Sequence, residues 1–370
     1  MFKSKFGFAL ISMLLVVMVV LSGCTKPDSP KETLQASMTK ASEIKSYHFQ
    51  GSMKFEDFNL TGESAAQSAD MLNSLKNAEL SWTGAYQASP MTMEMTLKLS
   101  LPGDMAISFS IPMFITQDKA WVKIPSIPML PIPADLTGKY LELDLKKLAE
   151  QSGQPLPTIS TVDIGQSQQL MNDISAIVYK HIDENTYLTS VKVKDAGLPE
   201  GTNVKQVVQF HLEKDQLEPL FNSVVKQIAP EVIKLLSDNE KYQKLMSLKP
   251  EDLTKAKAEL EKVTDKEIAD GMAEMKKDLT SLNIVSNIGL DGDDYPVYTD
   301  ASIKAAMKVD GNAGSLSLKM VSQTTNINEK VTFEGKPKAE EIITMEQLEA
   351  QLGGMFGGTD MGMEDTGTNQ

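Results

Sequence analysis

The chain has 370 residues, a formal net charge of −14 at pH 7 and a single cysteine. All 36 of its basic residues are lysine, so it lacks the guanidinium groups that clamp phosphate or carboxylate through two hydrogen bonds. An acidic surface repels nucleic acid, and one thiol forms neither an intramolecular disulfide nor a thiolate metal cluster. We therefore predict a domain that is held together by its apolar core and has no nucleic-acid partner.

The first 24 residues have the pattern of an export signal. Two lysines precede an apolar run at 6–20, which is too short for a comfortable transmembrane helix. The motif Leu21-Ser22-Gly23-Cys24 resembles the lipobox of bacterial lipoproteins. The resemblance implies removal of a signal peptide at 1–23, attachment of acyl chains such as palmitate to Cys24, and anchoring on the extracytoplasmic face of the bacterial cell membrane. An ordinary signal peptide with an incidental cysteine is the alternative.

The processed chain is predicted to begin with a lipidated polar tether at 24–30. Apolar residues then recur every three or four positions at 31–45, which predicts an amphipathic helix. Residues 46–58 have the composition of a strand, and 59–77 form a polar connection with some helical character. Folding is therefore expected to start close to the anchor.

Strict alternation of apolar and polar residues at 91–101 predicts a long strand with one buried face. A Pro-Gly-Asp turn at 102–104 separates it from a second alternating run at 105–111, and a third strand is predicted at 120–124. Neighbouring strands with one polar face indicate an antiparallel meander. The following segment, 125–138, is apolar but carries four prolines, which prevent regular strand pairing.

Helices and strands share the rest of the chain. Helical patterns are predicted at 144–151, at 166–180 and through 216–279, which we treat as a helical insert. Strands are predicted at 186–194, 203–212, 282–290, 301–309, 315–323 and 329–334, the last four forming a second meander. We expect one α+β domain over 31–351, in which a curved antiparallel sheet of two meanders is covered by helices. The Gly-rich, acidic tail at 352–370 is predicted to be disordered.

Three features resemble the LolA-like bacterial lipoproteins, a superfamily that includes the LppX- and LprG-type carriers. The first is the lipobox, the second is the passage from helix to strand at Glu43-Ile44-Lys45-Ser46-Tyr47-His48-Phe49, and the third is the closing segment 326–333. The likeness covers most of 31–345 and is greatest to the Gram-positive branch. It implies an incomplete antiparallel barrel whose concave face is covered by helices and holds acyl chains in several members.

The alternating strands supply the candidate ligand-binding residues. Methionine is flexible, so a Met-rich strand face suits a loosely shaped apolar ligand such as a lipid or a lipidated molecule. The predicted lining residues are Met91, Met93, Met95, Leu97, Met105, Ile107, Phe109 and Trp121. In the proline-rich segment the candidates for a lid are Met129, Leu130 and Ile132. The same residues also suit a filled core or the cover of a sheet edge.

A filled core would favour a different function. The chain would then be a surface interaction or structural lipoprotein that contacts another envelope protein through its acidic face or through the helices at 216–279. Lipid recovered from the purified protein separates the two hypotheses, because only the first requires a bound hydrophobic ligand.

Copper binding is a third and more remote hypothesis. Met91, Met93 and Met95 project from one strand face, Met361 and Met363 lie close together in the tail, and thioether ligands favour Cu(I). A half-buried strand rich in methionine produces the same spacing without any metal.

Other metal and enzyme patterns are weaker still. The three histidines, His48, His181 and His211, are far apart in sequence, and Asp291-Gly292-Asp293-Asp294 lacks the later ligands of a calcium loop, so we predict a hairpin turn there. No Gly-x-Ser-x-Gly, His-Glu-x-x-His or phosphate-loop motif occurs. We predict no metal, no cofactor and no enzymatic activity.

Overall fold

A computed structural model of the chain describes residues 29–61, 76–102, 106–127, 132–152, 164–309 and 311–353. Within these residues the strands are β1 (Ser46–Thr61), β2 (Glu79–Ala88), β3 (Met91–Leu101), β4 (Ile107–Thr116), β5 (Lys119–Lys123), β6 (Tyr140–Asp144), β7 (Leu188–Val191), β8 (Gln206–Glu213), β9 (Leu279–Leu290), β10 (Pro296–Val309), β11 (Asn312–Thr325) and β12 (Ile342–Ile343). The predicted signal peptide and Cys24 lie outside the described residues, as do Met105, Met129 and Leu130.

Most helices of the same residues lie between β6 and β7 or between β8 and β9 in the chain. They are α1 (Pro30–Ser42), α2 (Leu145–Ser152), α3 (Ile164–His181), α4 (Glu184–Tyr187), α5 (Leu217–Ser223), α6 (Ala229–Ser237), α7 (Glu240–Leu245), α8 (Pro250–Leu260), α9 (Asp265–Asp278) and α10 (Met345–Gly353). No helix in this part of the chain is both long and apolar enough to cross a bilayer.

All twelve described strands form one sheet in the order β12-β6-β5-β4-β3-β2-β1-β11-β10-β9-β8-β7. Strands β1 to β6 follow one another as a meander, β7 to β11 form a second meander, and antiparallel pairing of β1 with β11 joins the two. The pair β12–β6 is parallel. The end strands do not pair with each other, so the sheet is curved and unclosed. The predicted α+β class with a curved antiparallel sheet is confirmed.

Helices cover one side of the sheet at its β8–β9 end. Alternate side chains of β8 and β9 point to this side and pack against α1, α3, α5 and α9 in the largest buried cluster. Its most completely buried members include Leu34, Tyr179, Val208, Phe210, Leu212, Leu220, Met272 and Leu290. Full burial of a large apolar side chain contributes about 1.5–3 kcal/mol, so this cluster dominates the stability of the fold.

The helical insert predicted at 216–279 packs on the sheet. Leu217 and Leu220 of α5 and Ile268 of α9 belong to the same cluster as the side chains of β8 and β9. A π-helical turn at Val224–Ile228 separates α5 from α6. Pro230, which has no N–H to bond the carbonyl four residues earlier, accounts for the irregular turn at this position.

Several predicted boundaries were wrong. The apolar–polar pattern did not predict β2 or β6. It also predicted one strand at 186–194, where the chain forms the short helix α4, the four-residue strand β7 and a 3₁₀ turn. The tail was predicted to be disordered from residue 352, but α10 extends to Gly353. Residues 354–370 lie outside the described part of the chain.

The strand predicted at 329–334 does not form. Asn326 and Asn328 have positive φ values of 53° and 60°, which turn the chain away from β11. Residues 330–341, which we call the strap, then cross the other side of the sheet. The backbone N–H groups of Glu334 and Gly335 donate to the Glu94 carboxylate at 2.9 and 3.0 Å, so a side chain takes the place of a partner strand.

Candidate functional site

The strand register defines the two faces of the sheet, because paired residues on neighbouring strands point to the same side. We call the side that carries α1, α3, α5 and α9 the helix-side face. On β8 and β9 the helices bury this face. Beyond the main cluster the same face continues across seven strands, β11 and β1 through β6. We call this continuation the open region.

The open region is apolar and uncharged. None of the described residues that the register places on this face of β1–β6 and β11 is Asp, Glu, Lys or His. None of the buried clusters contains a helix-side side chain of β2, β3 or β4. Most of these side chains are half-buried, and Leu60 at one end of β1 is 41% exposed. Among the described residues, this surface therefore stays partly accessible to an apolar partner.

Six of the predicted lining residues lie together in the open region. On β3, Met93, Met95 and Leu97 pair with Ile115, Met113 and Ile111 of β4, while Phe109 and Ile107 of β4 pair with Leu99 and Leu101 of β3. Met91 shares this face and is buried, whereas the other five are half-buried. The strict alternation that predicted β3 therefore identified one side of a real surface. Met105 lies outside the described residues.

Trp121 does not line the open region, and its inclusion was wrong. It pairs with Phe114 and Glu142 on the opposite face, where it is only 8% exposed. Its indole N–H donates to the Glu142 carboxylate at 2.9 Å, and Phe333 of the strap covers the neighbouring Phe114. In β5 the helix-side residues are instead Ala120 and Val122, because side chains alternate along a strand.

Aromatic residues of β1 and β2 form the floor of the open region and were not among the predicted lining residues. Trp82 pairs with Gly51, and Phe49 pairs with Gly84. A Cβ atom at Gly51 would lie 2.5 Å from the Trp82 ring, and one at Gly84 would lie 2.6 Å from the Phe49 ring. The two rings therefore occupy the space next to these glycines that a larger residue would fill. The alternation of Leu80, Trp82 and Tyr86 was the available signal for β2.

A cavity of about 350 Å³ lies where the helices meet the open region. Residues of α1, α3, β1, β2, β10 and β11 and of the loop after α1 line it: Ala41, Ile44, Tyr47, Tyr86, Gln168, Pro296 and Thr324. The rings of Tyr47 and Tyr86 lie 5.3 Å apart between centroids. Burial raises the pKa of both phenols, so their hydroxyls remain protonated.

The predicted lid is only partly within the described residues. Ile132 is half-buried just before the turn in which the Leu136 N–H donates to the Pro133 carbonyl. Met129 and Leu130 lie outside the described part, so the lid stays a prediction.

The alternative metal residues fall on separate elements. His48 lies on the opposite face of β1, His211 lies on the opposite face of β8, and His181 at the end of α3 contacts the Glu231 carboxylate at 3.0 Å. Asp291 accepts hydrogen bonds from the N–H groups of Asp293 and Tyr295, which confirms the predicted turn between β9 and β10. Within the described residues, no group of three or more His, Cys, Asp or Glu side chains is placed to hold a metal.

Comparison with known proteins identifies no family. No family model and no curated protein matches the sequence. A solved structure similar to this chain is the crystal structure of a beta-barrel-like protein of Domain of Unknown Function DUF1849 from Brucella abortus. It shares 8% sequence identity in an alignment that covers 76% of this chain and 99% of that chain, with a TM-score of 0.18. A TM-score this low does not establish a shared fold.

Proposed function

We propose that this chain is a LolA-like lipoprotein, anchored through Cys24 to the extracytoplasmic face of a bacterial membrane, that binds a lipid or a lipidated molecule on the open region. One observation carries the proposal. The open region is an uncharged apolar surface that spans seven strands and lies outside the buried clusters of the described residues. Large contiguous apolar surfaces outside the buried core usually mark binding sites.

The energetics favour a long apolar ligand. Burying one CH₂ group contributes about 0.8 kcal/mol, so an acyl chain laid along several strands gains far more than one small contact. The methionines of β3 and Met113 of β4 adapt their shape to such a chain at little cost. A charged ligand would find no counter-charge on the described strands of this surface.

The two tryptophans of the chain allow a direct test. Trp82 lies on the floor of the open region, and Trp121 lies on the opposite face of the sheet. Bromine quenches tryptophan fluorescence only at short range. We therefore expect lipids with dibrominated acyl chains, added to the full chain in mixed micelles, to quench Trp82 in the Trp121→Phe variant and to leave Trp121 in the Trp82→Phe variant largely unquenched.

The same lipids without bromine provide the control for non-specific effects of the micelle. Equal quenching of the two tryptophans would mean that the micelle, and not a bound ligand, brings bromine close. Absence of quenching in both variants would contradict binding on the open region.

A further inference from the structure

The cavity at the border of the helices differs in character from the rest of the open region. On β3 and β4 the open region is lined by aliphatic and Met side chains and by Phe109, all without polar groups. The cavity instead brings together two phenols, an amide and a hydroxyl, from Tyr47, Tyr86, Gln168 and Thr324. These residues come from β1, β2, α3 and β11, so the fold assembles the polar groups from distant parts of the chain.

The polar groups of the cavity are free to bind a ligand. The side chains of Tyr47, Tyr86, Gln168 and Thr324 make no hydrogen bond with any other residue in the described part of the chain. Buried or half-buried polar groups without partners lose hydrogen bonds on desolvation, and a ligand that supplies partners recovers that loss. The set contains donors and acceptors, so it matches a group that both donates and accepts, such as a hydroxyl.

The cavity carries no charge. None of the seven described residues that line it is acidic or basic. Transfer of an ionised phosphate from water into a site without a counter-charge costs several kcal/mol, whereas an alcohol or ester finds hydrogen-bond partners there. Charge complementarity therefore selects against anionic phospholipids.

From this arrangement we propose that the cavity receives the uncharged polar head of a diacylglycerol-type lipid, while the acyl chains extend over the Met-rich floor of β3 and β4. This inference rests on the lipid-binding function proposed above and names the class of lipid. The glycerol hydroxyl and the ester carbonyls bind the phenols of Tyr47 and Tyr86 and the amide of Gln168.

The test compares lipids that share acyl chains and differ in the head. Dibrominated dioleoylglycerol and dibrominated dioleoylphosphatidylglycerol are titrated separately against the full chain carrying Trp121→Phe, with Trp82 quenching as the readout. We expect dioleoylglycerol to bind at least tenfold more tightly. The double variant Tyr47→Phe/Tyr86→Phe keeps both rings and should bind dioleoylglycerol about five- to tenfold more weakly, because each lost hydrogen bond reduces affinity several-fold.

The brominated hydrocarbon 9,10-dibromooctadecane, which has neither a hydroxyl nor an ester group, serves as the control ligand and should bind the double variant and the parent equally. Thr324→Val is a second, single-site variant if the double variant does not fold, and it should weaken dioleoylglycerol binding alone. Equal affinity for the two diacyl lipids, or no effect of these variants, would overturn the head-group assignment but leave lipid binding intact. Failure of every lipid to quench Trp82 would overturn both.

Discussion

Glu94 shows how a single side chain holds two distant parts of the molecule together. Its carboxylate on the opposite face of β3 accepts the N–H groups of Glu334 and Gly335. A Cβ atom at Gly335 would lie 2.9 Å from the carboxyl carbon of Glu94, so a larger residue there would push the Glu94 carboxylate out of its present position. These hydrogen bonds fix the strap. The ring of Phe333 in the strap then packs edge-on against the ring of Phe114, with 6.3 Å between the ring centroids.

Replacement of Glu94 by alanine should therefore release the strap. We expect the free energy of unfolding to fall by about 1–2 kcal/mol, since two hydrogen bonds to a half-exposed carboxylate are lost. Chemical denaturation gives the magnitude, and hydrogen exchange should accelerate specifically at the amides of residues 334 and 335. Glu79→Ala on the same face of β2 is the matched control. Similar losses in both variants would show that Glu94 has no particular role in fixing the strap.

At the scale of single elements, the alternation of side chains along a strand places neighbouring residues on opposite faces of the sheet. In β3, Leu97 pairs with Trp82 and Ile111 on the open region, and its neighbour Thr96 pairs with Thr83 and Pro112 on the opposite face. The two residues are adjacent in sequence and differ in the environment that each side chain meets. A charge introduced at either position thus tests one face alone.

Leu97→Glu should abolish lipid binding, and Thr96→Glu should retain it. A carboxylate in the open region would have to be desolvated by the acyl chain, at a cost of several kcal/mol, which lowers affinity more than tenfold. Organic extraction of each purified full chain, followed by mass spectrometry, measures the bound lipid. Thermal unfolding of both variants controls for misfolding. Lipid retained at parental levels by a folded Leu97→Glu variant would contradict the site.

The whole molecule has two unlike halves joined at the β1–β11 pair. The β7–β9 part is buried under α1, α3, α5 and α9, whereas none of the buried clusters of the described residues contains a helix-side side chain of β2, β3 or β4. Both ends of the sheet are short strands, the four-residue β7 and the two-residue β12, and short edge strands limit pairing with other chains. In the proposed function, a lipid anchor at Cys24 holds this domain at the membrane.

The anchor is tested on the full chain in cells. We expect the Cys24→Ser variant to leave the membrane fraction almost completely, because the proposed acyl chains are then no longer attached to the protein. Metabolic labelling with palmitate should mark the parent and not the variant. Immunoblotting of membrane and soluble fractions measures the distribution. A variant that stayed in the membrane fraction as firmly as the parent would show that Cys24 is not the anchor.

Local patterns predicted the elements whose signal is continuous. The repeated alternation of apolar and polar residues at 91–101 predicted both ends of β3 correctly. The helical pattern at 166–180 predicted α3. The strand β2 was missed because Gly84 interrupts its apolar run. In the fold, the Phe49 ring of β1 fills the space above this glycine, so a residue from another strand completes the pattern.

The sequence by itself determined the acidic, arginine-free composition, the single cysteine within a lipobox-like motif and the alternation that gives β3 one apolar face. Only the tertiary structure decided which strands extend that face, that Trp121 lies on the other side, and that Tyr47, Tyr86, Gln168 and Thr324 meet at one cavity. The reason is physical. Backbone geometry fixes the spacing of side chains along one strand, whereas the neighbours of that strand depend on packing between segments that are far apart in the chain.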